Sequence, residues 1–351
     1  MTKKQRKIPE PKPLFVERIK LLLPKKEDNE KYWQILKKEP INSIRCNTIK
    51  ISPEELKEKL EKKENWIIKQ PWENYPEVMI IEGKKPTEEE EEILINKNLA
   101  KLSPGELGRS FYHLLGYFYV QELSSMLPVI AMTPTKDDSY LDICAAPGSK
   151  TTQAAAAMKN KGLIIANEIS LGRMRILSSN LERTGITNTI VTRKEGQALC
   201  KKLRKINMKF DKILLDAPCS GEGTLRSSPK TYLMWNPKTI KYLSRVQKNL
   251  FEESFKELKV GGEMIYSTCT HAPEENEEVI DTMLKKFGKA IEIIDFKLPI
   301  KTREGITSWK EKKYDKRLKL AKRIYPQDND TEGFFVSKFK KIKEIENGQT
   351  D

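Results

Sequence analysis

The sequence is poor in the residues that build metal centres and covalent cross-links. Its 351 residues hold only two histidines, His113 and His271, and five cysteines, at positions 46, 144, 200, 219 and 269. No two cysteines form a CxxC pair, so neither a structural zinc site nor a disulfide framework is expected, and no metal is assigned. An odd number of scattered cysteines fits a reducing compartment, and a cytoplasmic location is expected. No apolar run approaches the ~18 residues of a membrane span, so no membrane partner is expected. The basic opening, MTKKQRKIPEPKP, has no apolar stretch behind it and does not read as a secretory signal. Both the GxGxxG fingerprint and the GxxxxGK(S/T) spacing of a phosphate-binding loop are missing.

Positive charge is in excess, with 65 Lys+Arg against 50 Asp+Glu and a net charge of +15. It is concentrated in three runs. Residues 1–26 carry nine basic and two acidic side chains, residues 226–248 six basic and none acidic, and residues 301–323 ten basic and three acidic. The rest is slightly acidic, with an acidic block at Glu88–Glu92. A surplus of this kind suits a polyanionic partner, although a solvated lysine-rich face is the simpler reading of any one run. Arg226, Lys230, Lys316 and Arg317 are expected to contact phosphates.

From residue 139 onward apolar runs alternate with helical patterns. Strands are expected at Tyr140–Cys144, Leu163–Ala166, Thr189–Thr192, Lys212–Asp216, Met264–Thr268 and Ile291–Asp295, with an alternating strand over 333–339. Helices are expected at Thr151–Met158, onward from Glu168 through Arg183, near Thr239–Leu258 (closed by Gly261-Gly262), and over Pro273–Phe287. This order predicts a doubly wound, mostly parallel α/β sheet over 139–341. Ahead of it, residues 40–107 read as a small α+β module with strands at Ser43–Thr48 and Val78–Ile81 and a helix near Pro53–Lys62. Residues 108–138 read as an aromatic, helical connector; Tyr112, Tyr117, Phe118 and Tyr119 suit a core better than a stacking platform. Residues 1–39 form a basic N-terminal segment and 342–351 a tail.

Three motifs carry chemistry. Asp142-Ile143-Cys144-Ala145-Ala146-Pro147-Gly148-Ser149-Lys150 follows a strand and opens a helix, where backbone N–H groups and small side chains admit a polar ligand closely. Glu168 ends the next strand, where an acid accepts hydrogen bonds from a ribose diol. Asp216-Ala217-Pro218-Cys219-Ser220-Gly221 and Thr268-Cys269-Thr270 each place a cysteine at a strand's carboxyl end, the edge where open α/β sheets bind ligands. Cys46, Cys144 and Cys200 read as small hydrophobes. Cys269 stands ahead of an expected helix, whose dipole favours the reactive thiolate. His271 reads as an exposed helix-start residue on the rim, with no general-base role.

A thiolate, an acid and a nucleotide-like ligand together suit one demanding reaction. Carbon 5 of cytosine is a weak nucleophile until a thiolate adds at carbon 6. Addition needs a proton or strong hydrogen bond at ring nitrogen 3, which a protonated carboxyl such as Asp216 can supply. The base must be unstacked, either from single-stranded RNA or by flipping.

These residues resemble the Sun-type (NSUN) family of S-adenosylmethionine-dependent RNA cytosine-5 methyltransferases over roughly residues 40–341. Arg45-Cys46-Asn47-Thr48 is similar to the strand of the family's RNA-recognition-like module, and Gln121 to Ser125 to its lead-in helix. The paired cysteine motifs match, as do Arg323-Ile324-Tyr325-Pro326 and Gly333-Phe334-Phe335-Val336 at the close. The resemblance implies a Rossmann-like sheet with one antiparallel strand, S-adenosylmethionine as cofactor and RNA as partner, tRNA being favoured over rRNA. Cys269 would be the nucleophile and Cys219 would help release the product; Asp216 and Lys150 would contact the base. Cys144, Ala145, Ala146, Pro147, Gly148, Ser149 and Lys150 would hold the methionine part of the cofactor, Glu168 its ribose, with Arg173, Glu195 and Asp216 as further contacts. Ser149 replaces a glycine usual in the loop, and Glu195 stands where aspartate is more frequent. A monomer is expected. Alternatives are a DNA cytosine-5 methyltransferase, a non-catalytic RNA-binding assembly factor that kept the fold and, more distantly, a nicotinamide oxidoreductase.

Overall fold

Prolines and short polar side chains start the longer helices, and the strands between them are apolar enough to be buried. A computed structural model describes residues 9–85 and 101–345. They fall into a central unit, Ile41 to Glu195, and a split unit joining the residues up to Pro40 with those from Gly196 onward. Glu88–Glu92, residues 1–8 of the first basic run and the end of the expected tail lie outside the described residues.

The split unit begins with helices α1 (Pro13–Leu22) and α2 (Lys26–Leu36). In the central unit, β1 (Asn42–Cys46), α3 (Pro53–Lys63), β2 (Trp66–Lys69), β3 (Val78–Lys84) and β4 (Phe118–Val120) build a four-stranded antiparallel sheet in the order β2-β3-β1-β4. Ser52 caps α3 by accepting the Glu55 N–H at 3.1 Å, and Pro53 takes the first helical position, where a missing N–H costs nothing. Helix α4 (Leu123–Met132) leads to β5 (Ser139–Asp142), α5 (Ser149–Ala157), β6 (Leu163–Asn167), α6 (Leu171–Thr184) and β7 (Thr189–Thr192). Strands β5, β6 and β7 are parallel neighbours.

The split unit resumes with α7 (Gly196–Lys205), β8 (Phe210–Asp216), α8 (Pro237–Lys256), β9 (Leu258–Thr268), α9 (Glu277–Phe287), β10 (Ile291–Ile294), β11 (Arg303–Glu304), β12 (Ser308–Trp309), β13 (Lys312–Lys313), β14 (Lys322–Ile324) and β15 (Phe334–Lys341). Strand β8 is parallel to β9, β15 runs antiparallel beside β9, and β14 and β10 pair with β15. The Rossmann-like α/β class is therefore present, with β15 as the expected antiparallel strand beside β9 and β14 and β10 pairing with β15 in turn. Phe15, Ile19, Leu23, Tyr32 and Leu36 of α1 and α2 form one core cluster with Leu225, Tyr232, Trp235, Ile240, Ala272 and Tyr325. Each large apolar side chain so buried contributes roughly 1.5–3 kcal/mol.

Three local expectations need correction. Gly261-Gly262 does not follow the end of α8, which stops at Lys256; the pair lies inside β9. The register between β8 and β9 shifts there, and a Cβ on Gly262 would come within 3.0 Å of the Asp211 carbonyl oxygen. The connector is not one helix. It has single turns at Glu106–Arg109 and Phe111–Leu114, and then β4, whose Phe118 and Tyr119 are buried. Alternate residues of an aromatic run suit a sheet edge as well as a helix face. Helix α9 starts at Glu277, four residues later than expected, because Pro273–Asn276 form turns.

Candidate active site

In the split unit, parallel neighbours β8 and β9 end side by side, and each hands the chain to a loop carrying one cysteine. Asp216 closes β8, opposite Ser267 in the register, and accepts the Ser267 hydroxyl at 2.8 Å. The Cys219 and Cys269 Sγ atoms stand 3.0 Å apart, and the Cys269 backbone N–H donates to Cys219 Sγ at 3.3 Å. Hydrogen bonding to Cys269, followed by burial, raises the Cys219 thiol well above its ordinary value. That shift favours the protonated form of Cys219, whose sulfur lies within reach of an S–H···S contact with Cys269.

Both loops are fixed from behind. The Gly223 N–H donates to the Cys269 carbonyl at 2.9 Å, and the Gly333 N–H to that of Gly223 at 2.9 Å. A Cβ on Gly223 would fall 2.2 Å from the Gly333 oxygen, so the backbones meet where no side chain fits. The Ser220 hydroxyl pairs with that of Thr270 at 2.8 Å. Gln247 of α8 donates to the Pro218 carbonyl at 2.8 Å and to Glu275 at 2.9 Å, while Glu275 also accepts the Ser220 N–H at 3.0 Å. Two polar side chains thus grip the peptides on either side of Cys219.

In the central unit, the loop after β5 turns into α5 through Gly148, whose φ of 104° favours glycine. The first-turn N–H groups of α5 have no partners within the helix. Glu168 is fully buried at the end of β6, where it accepts the Ser170 N–H at 2.9 Å. Arg173 joins the Glu168 carboxylate at 3.2 Å to the Ala146 carbonyl at 2.6 Å, tying the acid to the loop. Lys150 is buried and donates to the Ser125 hydroxyl at 2.9 Å. Cys144 is half-buried and Glu195 exposed. An anion-accepting helix start beside a buried carboxylate suits a ligand with a carboxylate at one end and a ribose diol in the middle. That donor set fits S-adenosylmethionine.

The family model for the 16S rRNA methyltransferase RsmB/F matches residues 129–340. The tRNA (cytosine(49)-C(5))-methyltransferase of Pyrococcus abyssi is 38% identical over 317 residues, covering 90% of this chain and 93% of that relative. The chain belongs to the RsmB/F methyltransferase family. Ribosomal RNA small subunit methyltransferase F of Aliivibrio fischeri (strain MJ11) is 36% identical over 329 residues, spanning 93% of this chain but only 63% of that enzyme's length. The solved structure of a methyltransferase homolog from Pyrococcus horikoshii superposes with a TM-score of 0.76 at 31% identity, covering 93% of this chain and 94% of its own. NSun6 from the same organism, solved with SFG, gives 0.75 at 28% identity, covering 95% and 99%.

Within this RsmB/F chain several expected placements change. His271 is buried, not exposed on a rim: it stacks on Tyr325 with ring centroids 4.8 Å apart. Burial, with Arg323 and Arg303 nearby, holds its imidazole down at about 3, so it stays neutral. Helix α9 starts eight residues beyond Cys269, too far for its dipole to act on that sulfur. Arg226 is buried and donates to the carbonyls of Thr331 and Glu39 and to Asp330, so it ties chain segments together rather than meeting phosphate. Arg317 is engaged by Asp315 at 2.7 Å. Sequence reasoning passed over Glu275 and Gln247, which carry no motif that separates them from surface side chains. It also missed the work of Arg45, which donates to Gln121 at 2.7 Å, to the Ser149 carbonyl at 2.8 Å and to the Thr152 hydroxyl at 2.8 Å, pinning the start of α5. Burial brings this guanidinium down to about 10.

Glu275 gives a pH signature. Burial pushes its carboxyl up to about 7, against the lowering effect of the Ser220 and Gln247 hydrogen bonds. The folded protein therefore holds a proton that the unfolded chain releases from about 4.5 upward, and stability falls as pH rises through that window. Glu275→Gln keeps an acceptor and removes the ionisation. The variant should gain up to roughly 3 kcal/mol relative to the parent between pH 5 and pH 8, measured by urea unfolding. Parallel pH profiles would show that Glu275 does not titrate in this window.

Proposed function

We propose that the protein transfers a methyl group from S-adenosylmethionine to carbon 5 of a cytosine in RNA through a covalent adduct on Cys269, and that the RNA is a tRNA. The observation that carries the chemistry is the 3.0 Å contact between two sulfurs at the ends of parallel neighbours β8 and β9. The cofactor supplies an electrophilic methyl group on a sulfonium. Glu168 would accept the ribose hydroxyls, and the loop Cys144–Lys150 would receive the methionine portion. Arg173, committed to Glu168 and Ala146, positions that loop.

Cys269 attacks carbon 6 of the target base as a thiolate that accepts the Cys219 S–H. Asp216, oriented by Ser267, would act in its acid form, donating its O–H to ring nitrogen 3 and so neutralising the charge that addition places on the ring. Carbon 5, made nucleophilic by that addition, would then be able to attack the sulfonium methyl, whose bond to sulfur would break and leave a neutral thioether. Loss of the carbon 5 proton to water re-forms the double bond between carbons 5 and 6, and the bond from carbon 6 to Cys269 breaks with its electron pair returning to Cys269. The Cys219 thiol stabilises the departing thiolate as it did the attacking one.

The tRNA assignment is supported by the Pyrococcus abyssi relative, whose name specifies tRNA and whose length the chain nearly spans, whereas it spans under two thirds of the rRNA relative. Methyl transfer from labelled S-adenosylmethionine to tRNA and to small-subunit rRNA transcripts, with bisulfite sequencing of the product, tests both parts. Label in tRNA at carbon 5 of a cytosine is expected. Label confined to rRNA would overturn the tRNA assignment, and label in neither would overturn the activity.

A further inference from the structure

A recess in the split unit lies outside the cysteine site. It encloses about 340 Å³ and is walled by the first turns of α8 and the β12–β13 hairpin, with Arg18 of α1 also lining it. Six cations line it (Arg18, Lys241, Arg245, Lys248, Lys310 and Lys312) against two carboxylates, Glu274 and Glu278. Both acids are already matched. Glu274 takes Arg18 in a two-pronged contact at 2.9 and 2.8 Å and accepts the Trp309 ring N–H at 3.0 Å; the Arg18 contact and the other hydrogen bonds hold its carboxyl down at about 2 against the effect of burial. Glu278 lies between Lys248 at 3.2 Å and Lys312 at 2.9 Å. Lys241, Arg245 and Lys310 are left with no acidic partner among the described residues.

The recess is built, not a chance meeting of lysines. Arg18 is buried, lies over the Trp309 ring at 5.3 Å, and so ties the hairpin to α1. Lys310 turns the hairpin with a φ of 52°, a conformation a side chain adopts at a cost, and it lines the recess. Ser244 of α8 donates to the Glu274 carbonyl at 2.6 Å, while Gln247, one turn on, grips the loop of Cys219. The recess and the Pro-Cys loop thus share the Glu274–Glu275 peptide. Because α8 follows β8, its first turns lie at the carboxyl edge of β8 and β9, the edge that bears both cysteines.

We infer that this recess binds the phosphate backbone of the substrate RNA beside the target nucleotide, with Lys241, Arg245 and Lys310 as the phosphate ligands. The inference rests on the RNA reading above. It draws on the exposed α8 face of the sequence's basic run 226–248, from which Arg226 is withdrawn by its own partners. Three released counterions correspond to a salt dependence steeper by roughly two to three in log–log slope.

The test compares the triple variant Lys241→Glu, Arg245→Glu, Lys310→Glu with an equally charged control, Lys201→Glu, Lys205→Glu, Lys289→Glu. The control positions are exposed and lie in the C-terminal half of α7 or just beyond the end of α9, toward the opposite edge of the sheet. Binding of a tRNA transcript is measured across a salt series, alongside S-adenosylmethionine affinity and steady-state methylation. The recess variant should bind RNA at least tenfold more weakly with the shallower slope and a raised KM for RNA, while kcat and cofactor affinity stay as in the parent. The control should keep most of the slope. Equal slopes in parent and recess variant, or equal losses in recess variant and control, would overturn the inference. So would inorganic phosphate that binds the recess without competing with RNA. A parent that binds no RNA and methylates none would instead overturn the RNA reading itself.

Discussion

Replacing Cys219 with alanine is expected to leave the protein covalently attached to its RNA, whereas replacing Cys269 abolishes attachment and turnover together. The asymmetry follows from which sulfur holds the proton. Hydrogen bonding to Cys269 and burial favour the protonated form of Cys219, and the two Sγ atoms stand 3.0 Å apart, close enough for Cys219 to donate to a Cys269 thiolate. A hydrogen bond to an ionised group is worth about 1.5–3 kcal/mol, and this one exists only while Cys269 is a free thiolate. Without it the thiolate is less stable and attack still proceeds. Release, however, loses roughly ten- to hundredfold relative to the adduct. Cys269→Ala removes the nucleophile itself, with a loss on the order of ten-thousandfold or more. Denaturing gels with unmodified RNA should show a slow-migrating adduct for Cys219→Ala only. With RNA carrying 5-fluorocytosine, parent and Cys219→Ala should both be trapped, and Cys269→Ala should not. An adduct that survives Cys269→Ala and vanishes with Cys219→Ala would exchange the roles and favour the chemistry of DNA cytosine-5 methyltransferases.

The second large effect is on stability. Arg323 of β14 meets Glu277, the first residue of α9, through two bonds at 2.7 and 2.6 Å, and both side chains are almost wholly buried. Its remaining donor capacity goes to the His271 carbonyl at 3.0 Å and the Tyr325 hydroxyl at 3.2 Å. Arg323→Met strands a carboxylate in the interior, and breaking a buried pair in this way costs about 3–5 kcal/mol. A large fall in the urea midpoint is expected. Changing both partners, Arg323→Met with Glu277→Leu, should recover much of it, because the cost lies in the orphaned charge. A single variant as stable as the parent would mean that Glu277 finds another partner or takes up a proton. His271 is two residues from Cys269, so methylation by the folded fraction should fall as well.

How much of this was readable from the amino acids depends on range. Strand–helix alternation is local, and Thr189–Thr192 and the helix over Pro53–Lys62 emerge nearly as read. The two cysteine motifs were legible because each is a strand end followed by a tight turn, and register does the rest. What failed were inferences from a residue's type to its surroundings. Arg226 and Lys241 look alike in a basic run, yet one is bonded on several sides by distant carbonyls and the other is open to solvent. His271 beside a reactive cysteine suggested a rim, but Tyr325, more than fifty residues away, covers it. Gly261-Gly262 has the composition of a helix stop, and only its pairing partner near Asp211 decides otherwise. Glu275 is one of several glutamates in a row, singled out by Ser220 and Gln247 alone.

The split unit also has a consequence in time. Helices α1 and α2 find their partners late in the chain: Arg18 meets Glu274, and Asp28 meets Arg303 and Gln327. At ribosomal speeds of about 5–20 residues per second, these helices wait on the order of tens of seconds before those partners have been made. Over that interval Phe15, Ile19 and Leu23 have no core to enter, while the central unit, contiguous in sequence, can already fold. The order of synthesis therefore completes the central unit first and the cysteine-bearing unit last, with the leading helices exposed until then.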